Sequence, residues 1–286
     1  MLLSTPTQHF EPKTGFEKLF ELASEAGFDA LDFSFMDNEK YYGESSNIEF
    51  FKELRVKAQS YGLVFNQAHA PYPSSNIDPA KTEEIFGNIT RSMRNAAALG
   101  VKNIVVHPCQ HLDYADNKEQ LFEINMDFYR RLIPYCEEYG IKVALENMWK
   151  KYGGNKIYHS TSSRPEEFIR YFDELNNSCF TCCLDIGHAM LVCEDIGDFI
   201  RKLGNKRLGA LHVHDTNGIH DSHHLPYLGV VRWDDVTKAL HDINYPGDFT
   251  FETDGFVAPL PAELMPACLK LLADTGRYLI NKIRKD

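Results

Sequence analysis

No run of about 18 consecutive apolar residues occurs in the chain, which excludes a membrane-spanning helix and argues against a membrane partner. The first residues, MLLSTPTQHFEPKTG, lack the basic start and long apolar stretch of a secretion signal, so a cytoplasmic protein is expected. Cysteine does not form a framework. Its seven copies, at 109, 136, 179, 182, 183, 193 and 268, are odd in number and lie mostly in apolar runs, which predicts reduced thiols rather than disulfides. Positive charge is in deficit, with 30 Lys and Arg against 41 Asp and Glu. The net charge of −11 disfavours attraction to phosphate backbones and argues against nucleic acid as a partner. Neither GxGxxG nor GxxxxGKS/T follows any apolar run, so the glycine-rich phosphate turn of an open doubly wound sheet is missing.

The chain does contain enough apolar residues for a large core: 286 residues, 43% of them hydrophobic. One domain over 1–286 accounts for this length, since a single α/β barrel commonly uses about 250 residues. A short apolar run followed by an amphipathic segment recurs along the chain. Strands are expected at 2–5, 28–33, 63–68, 103–106, 141–145, 180–184, 208–213 and 249–251. Helices are expected at 14–26, 48–61, 79–99, 119–139, 165–175, 194–203, 233–242 and 262–282, with Gly27, Gly62, Gly100 and Gly140 as stops. Eight such pairs predict a (β/α)8 TIM barrel. The connections 148–164 and 215–232 exceed the usual two to six residues, roughly, of a βα loop and are expected to shape a substrate site.

Six of the apolar runs end in side chains that can hold a metal. These are VFNQAHAP at His69, NIVVHP at His107, KVALEN at Glu146, TCCLDIGH at Asp185 and His188, ALHVHD at His212, and FTFET at Glu252. In a barrel these ends share one rim, where crowded carboxylates would repel one another unless a divalent cation compensates them. Mixed nitrogen and oxygen donors suit zinc, manganese, cobalt or iron better than calcium; manganese, zinc, cobalt and magnesium are carried forward as candidates. Asp221 and His223 are two residues apart in the second long loop and can point the same way toward metal or substrate, or simply lie in a solvated loop. His212 and His214 alternate, so both can face inward, with His212 as ligand and His214, with Asp215, supporting it or meeting substrate. Cys179, Cys182 and Cys183 read as core packing. Tyr72, Trp149, Trp233 and Phe256 either wall the pocket or pack elsewhere. His9, His111, His159, His220 and His241 lack a spacing partner and read as surface or loop residues, and Lys150 and Lys151 as a solvated pair.

The segments LEN at Glu146, DIGHA at 185–189, HVHDTNG at 212–218, DSHHLPYLGVVRW at 221–233 and FET at Glu252 together resemble the xylose isomerase-like TIM-barrel superfamily over nearly the full chain, in its sugar phosphate isomerase/epimerase branch. The resemblance implies one divalent ion on Glu146, Asp185, His212 and Glu252. It also implies an acid/base pair, Glu146 and Glu252, moving a proton next to a carbonyl through an enediolate that the ion stabilises. His188 resembles the residue that bonds substrate oxygens, and His69, His107, His214 and Trp149 are expected as further candidate substrate contacts. A small carbohydrate is the implied partner, with a homo-oligomer left open; a dehydratase of inositol-type ketones shares the same logic. The same superfamily holds endonuclease IV-type enzymes, which cleave DNA at abasic sites with three zinc ions. Their ligands would correspond to His69, His107, Glu146, Asp185, His188, His212, Asp221, His223 and Glu252. Against that alternative, this chain reads ENMWKKYGG and LPYLGVV where those enzymes continue ENTAGQG and SLGEG. A barrel that only binds a sugar or metal as a sensor is the remaining reading.

Overall fold

The computed structural model describes residues 1–36, 38–152, 156–192 and 195–285. Cys193, the expected helix start at Glu194 and positions 153–155 of the first long connection lie outside the described residues. In chain order the elements are β1 (Leu3–Pro6), α1 (Glu11–Thr14), α2 (Phe16–Ala26), β2 (Ala30–Ser34), α3 (Ile48–Ser60), β3 (Val64–His69) and α4 (Pro79–Leu99). There follow β4 (Asn103–Val105), α5 (Tyr114–Tyr139), β5 (Lys142–Glu146), β6 (Trp149–Tyr152), β7 (Lys156–His159), α6 (Pro165–Leu175), β8 (Phe180–Asp185) and α7 (Ile186–Leu191). The chain ends with α8 (Ile196–Arg207), β9 (Leu208–His212), α9 (Trp233–Asp242), β10 (Phe249–Thr250), α10 (Asp254–Val257) and α11 (Met265–Lys285).

Eight parallel strands are ordered β10-β1-β2-β3-β4-β5-β8-β9. The Val213 N–H donates to the Thr250 carbonyl at 2.9 Å and Val213 bridges Phe251, bringing the two ends together into the expected (β/α)8 TIM barrel. Helices form where apolar residues recur on one face and a glycine stops them. In α2, Leu19, Phe20, Leu22 and Ala23 are buried, and Gly27 ends the helix at φ 100°, a backbone conformation costly to other residues. None of the described helices is long and apolar enough to cross a membrane.

Alternation along the strands separates two cores. Ile104, Val143, Leu145, Leu184 and Leu211 pack outward with helix residues such as Phe20, Leu132 and Phe168. Burial of each large apolar side chain contributes about 1.5–3 kcal/mol. Val105, Ala144, Cys183 and Ala210 form a separate small cluster inside the barrel. Two residues further along the same four strands come His107, Glu146, Asp185 and His212, which the period of two places directly above that layer. The inner layer is small and apolar, so it supports the polar rim without reaching into it. Of the described cysteines none is bonded to another; Cys182 packs on the outer core and Cys183 on the inner one.

Several boundaries differ from expectation. The helix expected over 14–26 is divided at Gly15 (φ 75°, ψ 159°) into α1 and α2. Helix α5 begins at Tyr114 because the Asp113 carboxylate accepts the Ala115 N–H at 3.0 Å, and Asn117 interrupts it at φ −129°, ψ 28°. The connection 148–164 carries the antiparallel hairpin β6–β7, with Trp149 opposite His159. A short helix, α7, begins directly after Asp185, which caps it by accepting the His188 N–H with its side chain.

Candidate metal centre

The centre is built from the last residues of the strands. His212 ends β9 in register with Asp185, which ends β8. Its Nδ1 lies 3.0 Å from Glu146 Oε1, 3.3 Å from Glu252 Oε2 and 3.8 Å from Asp185 Oδ2. One donor atom from each of Glu146, Asp185, His212 and Glu252 falls within 4.8 Å of every other. Glu146, Asp185 and His212 are buried, while Glu252 keeps 14% of its side chain open to the cavity.

Three carboxylates meet one imidazole in a site that is almost wholly buried. The Oε2 atoms of Glu146 and Glu252 are buried and accept no well-aligned hydrogen bond among the described residues, although His107 Nε2 stands 3.0 Å from that of Glu146. Burial opposes ionisation of Glu146 and Asp185, yet His212 and His107 hold Glu146 well below the usual carboxylate range, and His188 and His214 hold Asp185 below it. Glu252 has no comparable support. Burial and the charges of Asp185 and Glu146 push its carboxyl well above the usual range. A divalent cation among these oxygens would relieve that repulsion, so the residues fit a metal ion by donor chemistry and by orphaned donor atoms.

A second group stands beside the first. His188 Nε2 and His223 Nε2 lie 3.2 and 3.1 Å from the same oxygen of Asp221, and Trp149 Nε1 donates to it at 3.2 Å. Burial lowers the affinity of His223 for a proton, but the bond to Asp221 outweighs it and raises the imidazole to about 9. Against burial, Asp185 and Asp221 likewise raise His188. On the other side, His107 Nε2 lies 3.0 Å and His69 Nε2 3.8 Å from Glu146 Oε2. Burial, with the neighbouring His107, pushes His69 down to about 3, leaving a neutral ring available as a ligand or hydrogen-bond partner.

These residues surround a cavity of about 260 Å³ that also meets Tyr72, Gln110 and Trp149. His214 is buried behind the centre, its Nε2 3.0 Å from both oxygens of Asp185 and its ring stacked on His223 at 4.1 Å. Asp215 does not join the site. Its carboxylate accepts the N–H groups of Thr216, Tyr227 and Val231 and the Trp233 indole, so Trp233 packs in the core rather than walling the cavity. Phe256 is likewise a packing residue. Arg232 is exposed and pairs with Asp235 at 2.9 Å. Two supporting residues carry no ligand-like spacing. Asn147 accepts the Asp185 N–H at 2.7 Å and donates to the Asp185 carbonyl at 2.9 Å, locking β5 to β8, and its own carbonyl meets His188 Nδ1 at 2.9 Å. Asp32, inside β2, faces the far side of His212.

A family model described as xylose isomerase-like TIM barrel matches residues 20–272. The uncharacterized protein y4fM of Sinorhizobium fredii is 26% identical over 280 residues, covering 87% of this chain and 84% of that protein. A D-psicose 3-epimerase of Enterocloster bolteae is 25% identical over 244 residues, covering 83% of this chain and 76% of that enzyme. Among solved structures, a D-tagatose 3-epimerase-like protein superposes with a TM-score of 0.76 over 99% of both chains at 21% identity, a likeness of fold.

Proposed function

The chain belongs to the xylose isomerase-like TIM-barrel family, and from that premise we propose that it is a divalent-metal-dependent isomerase or epimerase of a small sugar or related polyol ketone. The observation that carries the reading is the pairing of two glutamates on one imidazole at the floor of one cavity. Glu146 ends β5 and Glu252 follows β10, three strands apart around the barrel. They therefore approach a bound keto-sugar from different sides. One carboxylate removes the proton on the carbon next to the carbonyl and the other returns one, the step that inverts or relocates a carbinol centre. A bound divalent ion supplies the positive charge that favours the enediolate. Glu146, Asp185, His212 and Glu252 would hold it, with manganese, zinc, cobalt and magnesium all compatible with these donors.

His188, anchored by the Asn147 carbonyl, presents its other nitrogen to the cavity side, where it orients substrate oxygens. His69, His107 and Trp149 line the same space, and Tyr72 and Trp149 give it aromatic walls. At about 260 Å³ the cavity is slightly smaller than the usual small-molecule site of roughly 300–1,000 Å³, which suits a short polyol. The D-psicose 3-epimerase relative supports this substrate class. Glu252→Gln tests the roles. It is expected to keep the barrel folded and to abolish solvent-deuterium incorporation into product; undiminished turnover would overturn the assignment.

One observation favours a second reading, a multi-zinc phosphodiesterase. His188, Asp221 and His223 bring three donor atoms within 4.8 Å of one another, as do His69, Glu146 and His212. Elemental mass spectrometry of the purified protein separates the two readings. About one ion per chain supports the isomerase or epimerase; two or three zinc ions, with cleavage of an abasic-site duplex lost in His69→Ala or His223→Ala, support the hydrolase.

A further inference from the structure

His212 has two ring nitrogens with different surroundings. Nδ1 faces the carboxylates of Glu146 and Glu252, while Nε2 is buried with no hydrogen-bond partner among the described residues. An imidazole that gives one nitrogen to an ion must keep its proton on the other, and that N–H needs an acceptor in a buried site. Asp32 stands on that side, its Oδ2 4.0 Å from His212 Nε2. Asp32 is itself buried at 4% exposure, deep in β2 in register with Gln67. Gln67 Nε2 donates to Oδ2 at 3.0 Å and so fixes the carboxylate, while Oδ1 is unpartnered. A half-satisfied carboxylate inside a barrel is costly to keep without a further partner.

We propose that Asp32 is a positioning residue for the metal centre: its carboxylate, held by Gln67, accepts the Nε2–H of His212 and so presents Nδ1 to the ion. A small approach of ring and carboxylate, from 4.0 Å to hydrogen-bond distance, gives the orphaned Nε2 of His212 an acceptor in Oδ2, the oxygen that Gln67 already fixes. The arrangement extends the centre one layer toward the barrel core and couples β2 and β3 to a site otherwise built from β5, β8, β9 and the end of β10. The inference rests on the reading of His212 as a metal ligand.

The test is calorimetric titration of Mn²⁺ and Zn²⁺ into chelator-stripped protein, alongside melting of the metal-free form, for wild type, Asp32→Asn, Asp32→Leu and His212→Ala. Asp32→Leu is expected to bind metal about 10–100-fold more weakly while its metal-free melting temperature is equal to or above wild type, because a buried, half-satisfied carboxylate is gone. Asp32→Asn keeps the shape and an acceptor but not the charge, and is expected to fall between. In the zinc-loaded protein the low-field Nε2–H proton of His212 should move upfield in Asp32→Asn, a shift that a purely structural role would not produce. Wild-type affinity in both Asp32 variants, with loss in His212→Ala, overturns the proposal alone. Wild-type affinity in His212→Ala overturns the reading of the centre and the proposal with it. Weakened binding that tracks a lowered metal-free melting temperature, with the Nε2–H signal unmoved, assigns Asp32 a structural role and also overturns it.

Discussion

A β-carbon on Gly187 would lie 2.0 Å from Cε1 of His214, so the imidazole occupies the space that any other residue at 187 would fill. This close approach lets His214 reach both oxygens of Asp185 while stacking on His223. Gly187→Ala is expected to push His214 off Asp185 and to cost roughly 1–3 kcal/mol, the usual range for overpacking a rigid site. Urea unfolding of the metal-free protein measures it, and an unchanged midpoint would show that the ring has room to move. The DIGHA segment announces Asp185 and His188 through their chemistry, but the reason for its glycine is a ring delivered by another strand. Asp32 and Gln67 are hidden for a related reason. They interrupt apolar runs as single polar residues, and only the barrel's register brings them to His212.

The connection after β9 is an element in its own right, although it contains neither helix nor long strand. Asp215 accepts the N–H groups of Thr216, Tyr227 and Val231 and the indole N–H of Trp233, gathering both ends of the loop on one buried carboxylate. Asp221 and His223 are carried on the loop so gathered. Asp215→Ala leaves four donors without their acceptor and is expected to cost roughly 3 kcal/mol or more. Thermal melting reads the stability, and limited proteolysis between 216 and 231 reads the loosening; resistance equal to wild type would mean that the loop is held elsewhere. The eight strand–helix pairs were legible because apolar period and glycine stops are local signals. The hairpin β6–β7 was not, since WKKY and KIYH have little apolar period and their pairing is a tertiary event. The strand ends themselves fall a residue or so later than the apolar runs suggest at β3, β5 and β8, because His69, Glu146 and Asp185 continue the ladder before turning to the cavity.

At the scale of the molecule, α11 returns to the start of the barrel. Arg277 pairs with Asp29 at 2.7 Å and donates to the Gly27 carbonyl, and the other oxygen of Asp29 accepts the Leu3 N–H at 2.8 Å. Burial would raise the Asp29 carboxyl, but the bonds from Arg277 and Leu3 outweigh it and hold the group below its ordinary value. A carboxylate favoured in this way adds stability above the unfolded carboxylate pKa, near 4, and loses it as pH falls through the lower folded value. The pair is partly exposed, so the contribution is at most about 1 kcal/mol. Arg277→Met should flatten that part of the melting curve's pH dependence between roughly pH 5 and 3; parallel profiles would remove Asp29 from the account. At the opposite end of the barrel, an ion held at the proposed centre would add stability through mass action. An ion that binds the folded chain at a free concentration of 100 Kd adds about 2.7 kcal/mol, roughly 5 °C in melting temperature for a domain of this size. Removing the ion with a chelator should lower the melting temperature by that amount in wild type and leave Asp185→Asn almost unaffected. A melting temperature of wild type that ignores the chelator would mean that the crowded carboxylates of Glu146, Asp185 and Glu252 are balanced by protons alone.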